Sequence, residues 1–286
     1  DTSVRDKIPS VAMVAFYQVM NLGHFISEYD TFLHNFCVLM RVDEYLTQIV
    51  DETTYRVPTH LTPAQNGEIV IKNLSFAYDD NVKIFDNVCY TIPHGTNVHL
   101  IGMSGQGKTT LLHLIAGRLT PSQGTITIGG VDVSTMSTEA LAETILYVPQ
   151  TPILFNRSVY DNISYGRTAQ ISEDDVQKLM IDNGVNFIGL HDSVGKNGAE
   201  LSGGQRQIIY LLRLIASGNM SSTHKVVLLD EPTASVDKSE NALIILNIID
   251  TLIADRTAIL ISHEDTKVSS LFAEKAIKEI QSEICS

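Results

Sequence analysis

The sequence predicts an α/β fold built on a largely parallel sheet. Three features point to it: short buried apolar runs alternating with helix-length stretches beyond residue 67, a glycine-rich turn between one such run and a helix, and a second run ending in two acids. The 286 residues have room for one large domain or two ordinary ones. With 44% apolar and 19% charged residues the chain can bury a core, which excludes wholesale disorder, and its Gly and Pro content excludes a collagen-like chain. A formal net charge of −13 repels a phosphate backbone, so no nucleic-acid partner is expected. Cys37, Cys89 and Cys285 are far apart and form no CxxC pair, which argues against a disulfide framework or zinc site and fits a reducing compartment.

Along the chain, residues 8–20 are nearly all apolar but too few for a bilayer span of about twenty. Leu22, Phe25, Ile26, Tyr29, Leu33, Phe36 and Met40 continue at steps of three and four, the spacing of one helical stripe. Two readings are open: shorter helices broken near Gly23, or one long helix over 11–50 that is the truncated end of a membrane helix. The chain opens on Asp1 with nothing resembling a signal peptide, which reads as a trimmed piece of something longer. Pro58, Pro63 and their polar neighbours make 51–66 a linker. Ile69, Ile71, Leu74 and Phe76 then begin an antiparallel layer near 68–98. Strands are expected at 97–101, 226–229 and 258–261, helices at 108–119 and 242–253, a helical region near 151–215, and a charged helix over 271–280.

Gly102-Met103-Ser104-Gly105-Gln106-Gly107-Lys108-Thr109-Thr110 fits GxxxxGK[ST] between a predicted strand and a predicted helix. Its glycines let the backbone turn and aim N–H groups inward, and the helix start adds unsatisfied donors. Lys108 brings a full charge for the β/γ-phosphates of ATP, and the Thr109 hydroxyl is placed for Mg2+. The run 226–229 delivers Asp230 and Glu231 at the carboxyl end of a strand, where ligands of such sheets gather. Asp230 suits the Mg2+ shell and Glu231 suits a general base for water.

Leu201-Ser202-Gly203-Gly204-Gln205, followed by Arg206 and Gln207, is a second anion cradle: a capping serine and two glycines ahead of an apolar helix at 208–215. With this motif the sequence resembles the nucleotide-binding domain of ABC (ATP-binding cassette) ATPases over about 68–265. The resemblance implies a RecA-like P-loop NTPase core with an antiparallel β subdomain and an α-helical subdomain, preceded by the long N-terminal helix. It implies that Tyr78 stacks on adenine and that Gln150 reaches Mg2+ and the attacking water, in a loop that touches the membrane domain. By the same likeness Asp237 belongs to the D-loop, His263 contacts the γ-phosphate, and Leu201–Gln205 with Asp237 serve the nucleotide of a facing copy. Ala234 and Ile208 depart from the family's usual Ser and Arg, and the usual strand pair and glycine turn after His263 are absent.

Within the family the segments 67–78 and 150–166 and the preceding helix look most like exporters with membrane and ATPase domains in one polypeptide. Residues 1–50 then end a transmembrane domain, 51–66 link, and 67–286 form the ATPase domain. The expected partners are that upstream membrane domain and a second nucleotide-binding domain, identical or a close paralogue. The ATPase domain then faces cytosol or organelle matrix at a membrane. A soluble ABC-type ATPase acting as a mechanical switch on a protein partner is the second reading, and a non-hydrolysing regulatory binder the third, which Glu231 with His263 disfavours.

Overall fold

A computed structural model describes residues 59–78, 82–166, 171–216, 224–233, 240–262 and 272–283, all within the compact unit Val57–Ser286. The predicted N-terminal helix, Asp237 and His263 lie outside the described residues. In chain order the elements are β1 (Ile69–Ala77), β2 (Lys83–Ile92), β3 (Asn97–Ile101), α1 (Lys108–Ile115), β4 (Gln123–Ile128) and β5 (Val131–Asp132). Then come α2 (Thr138–Thr144), β6 (Ile145–Val148), α3 (Val159–Ser164), α4 (Glu173–Asp182), α5 (Gly203–Ala216) and β7 (Val226–Asp230). The last four are α6 (Glu240–Ile253), β8 (Thr257–Ile261), β9 (Ala273–Ala276) and α7 (Ile277–Ser282).

Two sheets result. One is antiparallel in the order β2-β1-β4-β5, the other parallel in the order β6-β7-β8-β3-β9. All five residues of β7 and of β8 are buried, as expected of parallel strands covered on both faces. The period of two divides them between two cores. Val226, Leu228, Ile259 and Ile261 meet α1 and the antiparallel sheet, while Val227, Leu229, Ala258 and Leu260 meet the helical lobe of α3 to α6. The predicted antiparallel layer is thus present, but β3 belongs to the other sheet, and β4 and β5 join the layer from beyond α1. Of the stretch read as a linker, 59–66 is pinned to the domain: Thr59 and His60 donate to the Thr135 carbonyl, and Ala64 N–H donates to the Thr144 hydroxyl.

Three expectations are corrected. The helix predicted over 108–119 ends at Ile115, because Gly117 takes φ +69° and turns the chain out of the helix. The segment 271–280 is not one charged helix. Ala273–Ala276 pairs in parallel with the open edge of β3 before α7 begins, since an edge with unpaired backbone groups outweighs a weak local helical preference. Cys89 is disulfide-bonded, contrary to the reading of the cysteines; pairing needs proximity in space, which separation along the chain does not decide.

Candidate nucleotide site

The turn between β3 and α1 is where the glycines predicted it. Gly102, Gly105 and Gly107 have φ of 153°, 80° and 91°, conformations that a side chain disfavours. At Gly107 a Cβ would also stand 2.5 Å from Ile84 Cγ2, so this position is closed to side chains twice over. Gly107 caps α1 without a side-chain bond, which leaves the helix start to donate elsewhere. Lys108 is 5% exposed and folds back over the loop, its Nζ donating to the carbonyls of Gly102 (2.7 Å) and Met103 (3.0 Å). Burial pushes its pKa down, and the nearby Glu231 and Asp230 carboxylates oppose that shift. Gln106 Oε1 accepts from Met103 N–H at 2.9 Å, closing the loop on itself. Tyr78 reaches the same place: its hydroxyl lies 3.1 Å from that of Thr110, and its ring is largely exposed, held edge-on by Phe76.

Asp230, at the end of β7, arrives opposite this loop. Its Oδ1 accepts from the Thr109 hydroxyl at 3.3 Å, and its Oδ2 accepts from the Tyr147 hydroxyl at 3.0 Å. Burial, then the Asp230 charge and hydrogen bond, raise the Tyr147 pKa, so the phenol stays a donor; Arg118 lies 3.8 Å from its ring centroid. Glu231 follows at φ +48°, its N–H bonded to the Ile261 carbonyl at 2.9 Å. Gln150 Nε2 donates to Glu231 Oε2 at 2.6 Å, so the two side chains predicted to handle water meet. Thr109, Asp230 and Gln150 offer a hydroxyl, a carboxylate and an amide. Such oxygen donors, with a single carboxylate among them, fit Mg2+, whose octahedral shell is completed by phosphates and water.

The second cradle has its own geometry. Ser202 Oγ accepts from Gln205 N–H at 3.2 Å and Gln205 Oε1 accepts from Ser202 N–H at 2.9 Å, a reciprocal cap that starts α5 at Gly203. Leu201 is buried beneath it and its carbonyl accepts from Arg206. Among the described residues no hydrogen bond joins Leu201, Ser202, Gly203, Gly204 or Gln205 to the phosphate loop. Three residues went unassigned in the sequence. Tyr147 orients Asp230. Buried Arg213 donates to the carbonyls of Asn162 (2.6 Å) and Ile153 (3.2 Å) and to Asn162 Oδ1 (2.7 Å); Asn162 in turn bonds both backbone groups of Phe155. For the last two the signals were a charge on the buried stripe of α5 and a fully buried amide within α3; Tyr147 carried none.

A glycine-rich loop running from a strand into a helix, faced by an acid from a nearby parallel strand, defines a P-loop NTPase fold. A family profile described as ABC transporter matches residues 85–234, just over half of the chain. The ATP-dependent lipid A-core flippase of Francisella novicida is 34% identical over 211 residues, 72% of this chain and 34% of its own length. ABC transporter B family member 21 of Arabidopsis thaliana is 33% identical over 205 residues, 69% of this chain and 15% of its own length. Among solved structures, a bacterial Atm1-family ABC exporter with ATP bound matches with a TM-score of 0.66 and 26% identity, covering 79% of this chain and 40% of that one. The chain therefore spans well under half of the relatives it matches. It belongs to the ABC transporter family.

Proposed function

We propose that this chain binds and hydrolyses ATP as the motor of a membrane exporter, through ATP-dependent closure of two such domains. The observation that carries the reading is the convergence of Lys108, Thr109, Asp230, Gln150 and Glu231 at the carboxyl ends of β3 and β7. Phosphates entering the loop would exchange with the Gly102 and Met103 carbonyls for the Lys108 ammonium, while the N–H groups at the start of α1 face the negative charge. The exposed ring of Tyr78 offers a stacking face for adenine. Mg2+, held by Thr109, Gln150 and Asp230, would neutralise phosphate charge. Gln150 orients the water, Glu231 accepts its proton, and the water attacks the γ-phosphorus in line with the leaving oxygen. His263 would contact the γ-phosphate, as the likeness to the family implies.

Ser202–Gln205 would complete the site of a second copy, with Asp237 beside it, because one chain has no evident use for two separate anion cradles. Ile153, Phe155 and Tyr165 leave apolar surface exposed beside the Gln150 loop, a face suited to the cytosolic ends of membrane helices. Residues 1–50 would be the end of that membrane domain and 51–66 the connection. Among the described residues no helix is long and apolar enough to cross a membrane. The test is Glu231→Gln. MgATP binding should persist, turnover should fall by about a thousandfold, and a dimer should accumulate in ATP and dissolve in ADP. Unimpaired turnover would remove Glu231 from the role of base.

A further inference from the structure

The last described segment has no part in the scheme so far, yet it lies against the phosphate loop. α7 follows β9 directly, and β9 runs beside β3 with Ala276 opposite Ile101, so the helix starts where the loop starts. Ile277 is fully buried, and its Cγ2 fills the space where a Cβ on Gly102 would stand, 2.7 Å away. One turn on, Gln281 Nε2 donates to two carbonyls at 3.0 Å each, those of Ile84 in β2 and Gln106 in the loop. The far end of the helix is tied down as well. Cys89 N–H donates to the Glu283 carbonyl at 2.7 Å, and Lys275 bridges Glu279 and Glu283.

The Gln106 carbonyl shares a rigid peptide plane with the N–H of Gly107, and in a trans peptide the two point in opposite directions. Fixing the carbonyl toward α7 therefore aims the Gly107 N–H the other way, away from α7. This plane needs fixing. Gly107 has no Cβ to resist rotation, so a flip of the 106–107 peptide would turn a donor away from the phosphates and a carbonyl toward them. We propose that Gln281 is a positioning residue for nucleotide: its amide locks the Gln106–Gly107 peptide with the N–H facing the phosphates and ties the loop to β2. The inference rests on reading the loop as an ATP cradle.

The test uses the full chain with Gln281→Leu, which removes the donor, and Gln281→Glu, which sets a carboxylate against the same two carbonyls. Both keep the size of a half-buried side chain, and thermal denaturation checks that each folds. For Gln281→Leu the KM for MgATP should rise about tenfold, the worth of one or two hydrogen bonds, with kcat within about twofold. Gln281→Glu should lose more. The 15N amide signal of Gly107 should be single in the unaltered chain and broadened or doubled in both variants before nucleotide is added. Unchanged KM with an unchanged Gly107 signal overturns the proposal. So does a fall in kcat that merely follows a lowered Tm. If the unaltered chain binds no MgATP, the reading of the loop fails first and takes this inference with it.

Discussion

At the scale of single residues, the site is held by groups that constrain one another. Asp230 keeps both oxygens engaged, one by Thr109 and one by Tyr147, and the ring of Tyr147 has Arg118 over it and the His113 ring 5.9 Å away. That packing has a titratable consequence. Burial, and after it the Arg118 charge, lowers the His113 pKa below 6.5, against a smaller opposing effect of Asp230. The unfolded chain therefore takes up this proton before the folded one, so stability is unaffected above about pH 6.5 and falls as pH drops from there toward the lowered value. His113→Gln should lose less stability than the unaltered protein between about pH 7 and pH 5, measured by urea denaturation across that range. An equal loss would show that other groups govern the acid limb. Lys108, Thr109, Asp230 and Glu231 were legible in the sequence because their chemistry is tied to fixed spacing. Tyr147 and Gln281 were not, since each acts on residues more than eighty positions away and carries no local pattern.

Among elements, the parallel strands at 97–101, 226–229 and 258–261 were legible, the last two because short continuous apolar runs suit a strand buried on both faces, whereas β6 at Ile145–Val148 was not read as a strand. The end of α1 was missed although Gly117 signals it locally, and the split of 271–280 into β9 and α7 was not legible, as it depends on the strand edge alongside. The join between α5 and the loop after Gln150 also lay beyond sequence reading. Arg213 makes it, through three hydrogen bonds and by lying over the rings of Phe155 and Tyr210. α5 and the apolar face around Ile153 should therefore move as one piece. Arg213→Met fills similar volume but strands the Asn162 and Ile153 carbonyls, which should cost about 2–4 kcal/mol in chemical denaturation. Hydrogen exchange over residues 151–166 should speed up more than over β7 and β8. Uniform acceleration would mean that the join carries no special coupling.

For the molecule as a whole, the parallel sheet separates two cores, and the two anion cradles stand on opposite sides of that division. Turnover per chain should therefore rise with chain concentration, and Ser202→Ala should depress the whole curve while leaving MgATP binding to the single chain in place. Turnover per chain that stays constant on dilution would defeat the paired mechanism. In the sequence the pairing is suggested only by a redundancy, two cradles in one chain, and the fold adds that no hydrogen bond joins them among the described residues. The strand at Ala273–Ala276 bears on it too. It is short, caps the border of the sheet beside β3, and offers the exposed Glu274 and the half-exposed Lys275 where bare backbone would otherwise invite another strand. The proposed cycle of meeting and parting from a double leaves no room for other embraces, and this small charged hem discourages copies from fusing for good along that flank.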